Sequence, residues 1–177
     1  EPAYAIGIRI NDRDFRNYSP FNFNKETGTF DVIFHLHDTT AVGSDFVTHL
    51  SIGDPIKMLM PRGKRFFDAS AKIHFSIGDE TSLGSSLSIK EAAEKSTCSY
   101  ICLHELEEPA ALEALSLYGY HTPKNNTMGI IEALNDFLHE EKQAVYNNDV
   151  IFYLTGNGER MSLIRKFLKA KDVAPKC

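Results

Sequence analysis

Ile73-His74-Phe75-Ser76-Ile77-Gly78-Asp79-Glu80-Thr81-Ser82-Leu83-Gly84 decides the fold. Its first five residues form a short, mostly apolar run that stops at a glycine, as a buried strand does. Polar residues follow, and a helix is predicted from about Leu83 to Lys95. Strand, glycine turn and helix in that order make one βα unit, and the unit recurs downstream. Tyr100-Ile101-Cys102-Leu103 reads as the next strand. Pro109 stands where a first helical turn begins, and Ala110 to Tyr118 is expected to be helical and closed by Gly119. From Met128 onward Ile130, Ile131, Leu134, Phe137 and Leu138 recur at helical spacing, with no clear strand between residues 120 and 148. Val150 to Leu154 is a third strand, and a last helix carries Met161, Ile164, Phe167 and Leu168 on one face. Alternating β and α elements imply a parallel sheet with helices on its faces.

Upstream of residue 70 the rhythm changes. Ala5 to Ile10 reads as a strand, and Thr29 to His37 alternates at period two. Asn24-Lys25-Glu26-Thr27-Gly28 supplies a turn between, so Phe21 to His37 is expected to be an antiparallel hairpin. Ser44 to Leu50 fits one short helix, and Ile56 to Met60 a further strand ended by Pro61-Arg62-Gly63. The expected fold class is thus β followed by α/β: a partial antiparallel β-barrel over residues 1–69 and a small parallel-sheet α/β domain over 70–177. Three strands are too few to close a barrel, which takes about five or six, so N-terminal strands are expected to be missing.

Composition narrows the function. The 177 residues carry a net charge of −5, which excludes the basic field of a nucleic-acid binder. No apolar run reaches the ~18 residues of a membrane span, and no leader resembling a signal peptide opens the chain, which begins at Glu1-Pro2. Cys98 and Cys102 fall in one expected strand, about 13 Å apart, whereas a disulfide needs Cα atoms within about 7 Å. With three cysteines and that pair excluded, a reduced, cytoplasmic setting is expected. The seven histidines show no zinc-type spacing, although His35 and His37 share one strand face where a metal pair is conceivable.

Ligands of parallel sheets sit at the carboxyl ends of the strands, where helix N-termini offer free N–H groups. Gly78-Asp79-Glu80-Thr81-Ser82-Leu83-Gly84 and Thr155-Gly156-Asn157-Gly158-Glu159 are the two loops so placed. Small residues there admit a pyrophosphate or a nicotinamide nucleotide, and they serve a plain βα turn equally well; neither loop is a G-x-G-x-x-G or Walker motif. The run Glu105 to Glu108 reads as a solvated helix entry, or else Glu105, an acid after the second strand, meets an adenosine ribose, which would favour NADH over NADPH. Arg16-Asn17-Tyr18-Ser19-Pro20 brings together a cation for a phosphate, a ring for a flat cofactor and a hydroxyl for its edge, and by itself fits a plain strand end with an exposed arginine and a packed tyrosine better.

In series these motifs resemble the siderophore-interacting, or ferric-siderophore reductase, family of the ferredoxin-reductase superfamily. Arg16-x-Tyr18-Ser19 is similar to the superfamily's R-x-Y-[ST] flavin signature, and Asp31-Val32-Ile33-Phe34-His35-Leu36-His37 to the family's D-V-D-F-V-L-H strand. Gly53-Asp54, Pro61-Arg62-Gly63 and Gly78-Asp79-Glu80-Thr81-Ser82-Leu83 resemble its G-D, P-R-G and G-D-E-T-A-L motifs, in the same order. Leu154-Thr155-Gly156 resembles its A-G-E segment. The likeness spans residues 3 to 171 and is densest from 16 to 84. It implies an FAD-binding barrel domain followed by an NAD(P)H-binding α/β domain. Arg16 would then hold the FAD pyrophosphate, Tyr18 stack on the isoalloxazine, and Ser19 approach flavin N5, the last two forming the catalytic pair. His37 would stand at the family's strand-end histidine, Phe46 where many relatives have tryptophan, and Gly43 and Ser44 would help hold the pyrophosphate. Gly78, Asp79, Glu80 and Thr81 would form the entrance for the nicotinamide nucleotide, with Thr155, Gly156 and Asn157 beside the nicotinamide. The family's first barrel strands and its Tyr-Trp-x-x-Gly-like ending have no counterpart here.

The activity so implied is hydride transfer from NAD(P)H to FAD, then reduction of a ferric siderophore or chelate. Two other readings stand beside it. One is a flavin reductase for a ferredoxin or flavodoxin, docking on Lys57, Arg62, Lys64 and Arg65; the other is a non-catalytic scaffold that has lost FAD.

Overall fold

The computed structural model describes residues 1–37 and 41–173; Cys177 lies outside them. Four strands, β6 (Ile73–Asp79), β7 (Ser99–Glu105), β8 (Gly119–Thr122) and β9 (Val150–Leu154), make one sheet in the order β8-β7-β6-β9. All three pairings are parallel. Because side chains alternate along a strand, the sheet has two distinct faces. Ile73, Phe75, Ile77, Leu103, Val150 and Phe152 pack with helices α4 (Thr127–Glu140) and α6 (Gly158–Ala170) in the main core. The other face meets α2 (Leu83–Lys95), through Leu83 and Leu87 against Cys102 and through Ile89 against Ile151 and Tyr153.

The N-terminal half is antiparallel. β1 (Ala5–Arg9) is central between β2 (Phe15–Tyr18) and β5 (Met58–Arg62). A separate hairpin joins β3 (Phe21–Asn24) to β4 (Thr29–Asp31). Ile6, Ile8 and Ile10 form the small buried cluster of this half, with Tyr18, Phe30, Val32, Phe34 and Phe46 packed around it. Helix α1 (Val42–Thr48) follows; α3 (Ala110–Ala114) and α5 (Lys142–Tyr146) are single turns in the second half. No helix among the described residues is long and apolar enough to cross a membrane.

Beside β2 and α5, which the sequence pattern did not show, four elements differ from the sequence expectation. The helix expected over 110–118 stops at Ala114, because Ser116 turns left-handed (φ 52°) and Leu117 folds back into the core. The Leu117 amide donates to Leu112 O at 2.8 Å. Gly119 does not close a helix: it opens β8, a strand unseen in the sequence, and a Cβ there would collide with the Cys102 backbone. The strand expected over 29–37 forms a ladder only at Thr29–Asp31. Beyond it the alternation is real, with Ile33 packing towards Leu83 and Leu87 while Val32 and Phe34 pack towards Ile6 and Ile8. Finally, β5 includes Pro61, which is tolerated because β5 is an edge strand whose pairing with β1 shifts register between Ala5 and Gly7, opposite the proline. Cys98 lies just before β7 rather than within it; Cys98 and Cys102 are free thiols, and burial pushes the Cys102 thiol up to about 12.

Candidate functional site

β2 pairs antiparallel with β1, setting Arg16 opposite Ile8 and Tyr18 opposite Ile6. Arg16 and Tyr18 therefore share a strand face and border a cavity of about 260 Å³, with His37, Gly43 and Thr81 on its other walls. Arg16 is exposed; among the described residues its guanidinium donates only to Phe15 O, at 3.2 Å. The Tyr18 ring leans on Phe34 at 4.5 Å between centroids. Partial burial raises its phenol, and the nearby Arg16 charge works against that rise. Gly43 lies beside the ring, where a Cβ would stand 3.4 Å from the Tyr18 hydroxyl. Ser44 faces elsewhere: its Oγ accepts from His37 N at 3.0 Å and fastens the 32–37 segment to α1. The His37 ring stands edge-on to His35, 4.4 Å between centroids.

A second cavity, about 340 Å³, opens between the two halves. Ser19 stands on one wall; Ser82, Thr155 and Gly156 stand on the other. Asn17 and Thr81 border both cavities, so the two spaces adjoin. The carboxyl ends of β6 and β9 thus face the Arg16–Ser19 strand across one cleft. Gly78 makes the close approach possible: a Cβ there would come within 2.5 Å of Ser82 Oγ and 3.0 Å of Thr155 Oγ1. Gly156 has φ +98°, and its Cβ would collide with the Asp79 carboxylate.

Asp79 does not face the cleft. One carboxylate oxygen accepts from Thr81 N at 2.9 Å and Thr81 Oγ1 at 2.5 Å, capping the 3₁₀ turn Glu80–Ser82. The other accepts from Asn157 N at 3.0 Å, so one side chain ties both cleft loops together. Asn157 in turn caps α6, its Oδ1 accepting from Glu159 N and Arg160 N. Glu80 turns towards β7, accepting from Glu107 N at 2.9 Å and pairing with Lys124 at 3.3 Å. Lys124 also bonds Glu107, holding that carboxyl below the usual range. The cleft itself is bordered by Arg16, Tyr18, Ser19, His37, Gly43, Thr81, Thr155 and Gly156, while Ser44, Gly78, Asp79, Glu80 and Asn157 stand behind it and shape its loops.

Glu105 is engaged as well. Its carboxylate accepts from the Asn125 amide and from Arg160 Nη2 at 3.1 Å, and the same guanidinium donates to Thr127 Oγ1. Asn17 is a cleft residue that the sequence pattern passed over as the x of R-x-Y-S. It counts because β2 is an edge strand with both faces in use, and Arg62 donates to its Oδ1 at 3.2 Å. Lys57, Arg62, Lys64 and Arg65 are all exposed on or beside β5, with Arg65 paired to Glu1 at 3.0 Å.

The family comparison falls on the antiparallel half that carries Arg16 and Tyr18, and the structural comparisons span nearly the whole chain. Residues 11–65 match the siderophore-interacting FAD-binding domain. No functionally curated protein matches the chain in sequence. In structure the chain is similar to the siderophore-interacting protein of Acinetobacter baumannii at 16% identity, TM-score 0.78, covering 99% of this chain and 73% of that one. The siderophore-interacting protein of Aeromonas hydrophila matches at 17% identity, TM-score 0.74, over 94% and 71%. Ferredoxin-NADP+ reductase of Plasmodium falciparum matches at 16% identity, TM-score 0.69, over 94% and 76%. The fold is ferredoxin reductase-like.

The residues present fit a flat, anionic dinucleotide. Arg16 offers an exposed guanidinium and Tyr18 a half-buried ring beside a glycine, while Gly78 and Gly156 let the two loops of the opposite wall pack closely on Ser82, Thr155 and Asp79.

Proposed function

We propose that this chain is a flavin-dependent NAD(P)H oxidoreductase whose acceptor is a ferric siderophore or ferric chelate. The observation that carries the reading is the cleft in which the Arg16–Ser19 strand faces the carboxyl ends of β6 and β9. A two-cofactor reductase needs this arrangement, with one binding element from each half meeting over a common space. The chemistry that bound FAD supplies is acceptance of a hydride from NAD(P)H and one-electron delivery to iron(III). Arg16 holds pyrophosphate charge through its forked donors. Tyr18 covers one face of the flat ring system and excludes water from it. The Ser19 hydroxyl stands at the cleft wall to hydrogen-bond the ring edge. Thr81 and Thr155 border the space for the nicotinamide nucleotide, with their hydroxyl oxygens left to accept from it, and Gly156 lets its loop fold closely over Asp79. Glu105 is held by Arg160 and Asn125, so ribose recognition falls to other groups and the donor is not fixed as NADH. The ferric siderophore as acceptor rests on the match of residues 11–65 to a siderophore-interacting domain.

The deciding test is an absorbance spectrum of purified protein, supplied with FAD, before and after anaerobic NADH or NADPH. A band near ~450 nm that bleaches with one nucleotide is expected and names the donor. Ferric chelates should then restore the band faster than ferredoxin or flavodoxin does; the reverse order would assign a protein acceptor. Failure to take up FAD would leave a non-catalytic scaffold as the reading.

A further inference from the structure

Helix α2 meets the antiparallel half through Leu83 and Leu87, which pack towards Phe21 and Ile33, and through a stripe of contacts to main chain. Gly84, Ser88 and Glu91 recur at i, i+4 and i+7 and so share one face of the helix. Each meets a backbone group of the antiparallel half. A Cβ on Gly84 would stand 2.7 Å from Ser19 O. Ser88 Oγ accepts from Ala3 N at 3.2 Å, and Glu91 Oε1 accepts from Asn22 N at 2.7 Å. These are contacts to main chain, so they fix where the antiparallel half sits rather than which side chains it carries. Gly84 occupies the second position of a 13-residue helix, where alanine is the better helix former. Its advantage here is room: a methyl group would push Ser19 away by about 1 Å to reach ordinary van der Waals separation. Ser19 is a wall of the cleft, and Thr81, three residues before Gly84, is the facing wall. The first turn of α2 therefore governs the gap between them.

We propose that the Gly84–Ser88–Glu91 stripe sets the distance across the cleft, with Gly84 as a positioning residue for transfer between nicotinamide nucleotide and flavin. The second half of that statement rests on the function proposed above; the first does not. Rates of transfer between bound groups respond steeply to displacements of this size.

The test uses the full chain with Gly84→Ala, Glu91→Ala and Glu91→Gln. Amide hydrogen exchange needs no cofactor. Exchange of residues 15–22 should rise about tenfold in Gly84→Ala and Glu91→Ala while residues 73–79 stay protected. Glu91→Gln keeps the acceptor and should remain within about twofold of the parent. With FAD loaded, Gly84→Ala should slow flavin reduction about tenfold at saturating nucleotide while the nucleotide KM stays within about threefold. Unchanged exchange at 15–22, together with a higher melting temperature for Gly84→Ala, would overturn the proposal, since that is how alanine behaves in an open helix. A raised KM with an unchanged reduction rate would overturn the positioning role. If the parent takes up no flavin, the functional reading falls, and exchange alone still decides whether the stripe sets the register.

Discussion

The two faces of the parallel sheet are equally dry and chemically opposite. Towards α4 and α6, Phe75 packs on Phe137 at 4.3 Å and on Phe152 at 5.6 Å between ring centroids. Towards α2, the same strands present His74, Ser76, Tyr100, His104 and Tyr153. His74 and His104 are as fully buried as Phe75. His104 Nε2 meets Ser86 Oγ at 2.9 Å, and His74 Nδ1 meets Tyr153 Oη at 2.8 Å with Phe67 stacked on the imidazole at 4.5 Å. One nitrogen of each imidazole has no partner among the described residues. One face is thus built to hold the sheet together. The other gives up some of that stability to keep polar groups beneath the helix that carries the cleft wall, since an unpaired buried polar group costs about 1–3 kcal/mol.

The largest expected effect is on the aromatic face. Phe75→Ala should lower unfolding stability by about 3–5 kcal/mol, measured by urea denaturation. Ser76→Ala, one residue on and facing α2, should change it by less than about 1 kcal/mol. Equal losses would mean that the two faces are packed alike.

The polar face should reveal itself through pH. An unfolded histidine takes up its proton near ~6.5, whereas burial lowers that of His104 to about 4. Between these values unfolding binds a proton. Stability is complete above the unfolded value and falls as pH drops through the window, by up to about 3 kcal/mol. Burial lowers His74 too, adding a loss of the same sign. His104→Leu should flatten the slope of melting temperature between pH 6.5 and 4, and an unchanged slope would place the titrating group elsewhere.

The smallest effect belongs to the top of the aromatic face, where Ile73, Phe75 and Ile77 give way to Asp79 on the same side. Asp79→Asn keeps one acceptor for Thr81 but presents an amide donor to Asn157 N, loosening the tie between the cleft loops. The nucleotide KM should rise about tenfold, equivalent to ~1.4 kcal/mol, with FAD uptake unchanged. A loss of FAD binding instead would mean that Asp79 supports the other wall.

Much of the sheet was legible because three of its four strands are short apolar runs that end at polar or glycine-rich turns. β6, β7 and β9 lie where that pattern put them. β8 escaped because it has one buried residue, Thr122, where β9 at the other edge has four, so its partner β7 defines it rather than its own periodicity. In the site, Arg16, Tyr18 and Ser19 were legible as a compact group of complementary chemistries. The inward turn of Asp79 was not, because a carboxylate beside two glycine-containing loops reads the same whether it faces a ligand or the loops.

Sequence alone therefore determined the order of the strongly patterned elements, the antiparallel-then-parallel division and the residues that could serve a dinucleotide, since each depends on local pattern and side-chain chemistry. Tertiary structure decided which of those residues border the cleft and which only hold its loops. It also decided that Glu105 is held by Arg160, and that Gly84 lies against Ser19. These are contacts between residues 55 and 65 positions apart, and no local pattern encodes such a distance: it is set by how α2 and α6 pack on opposite faces of one sheet.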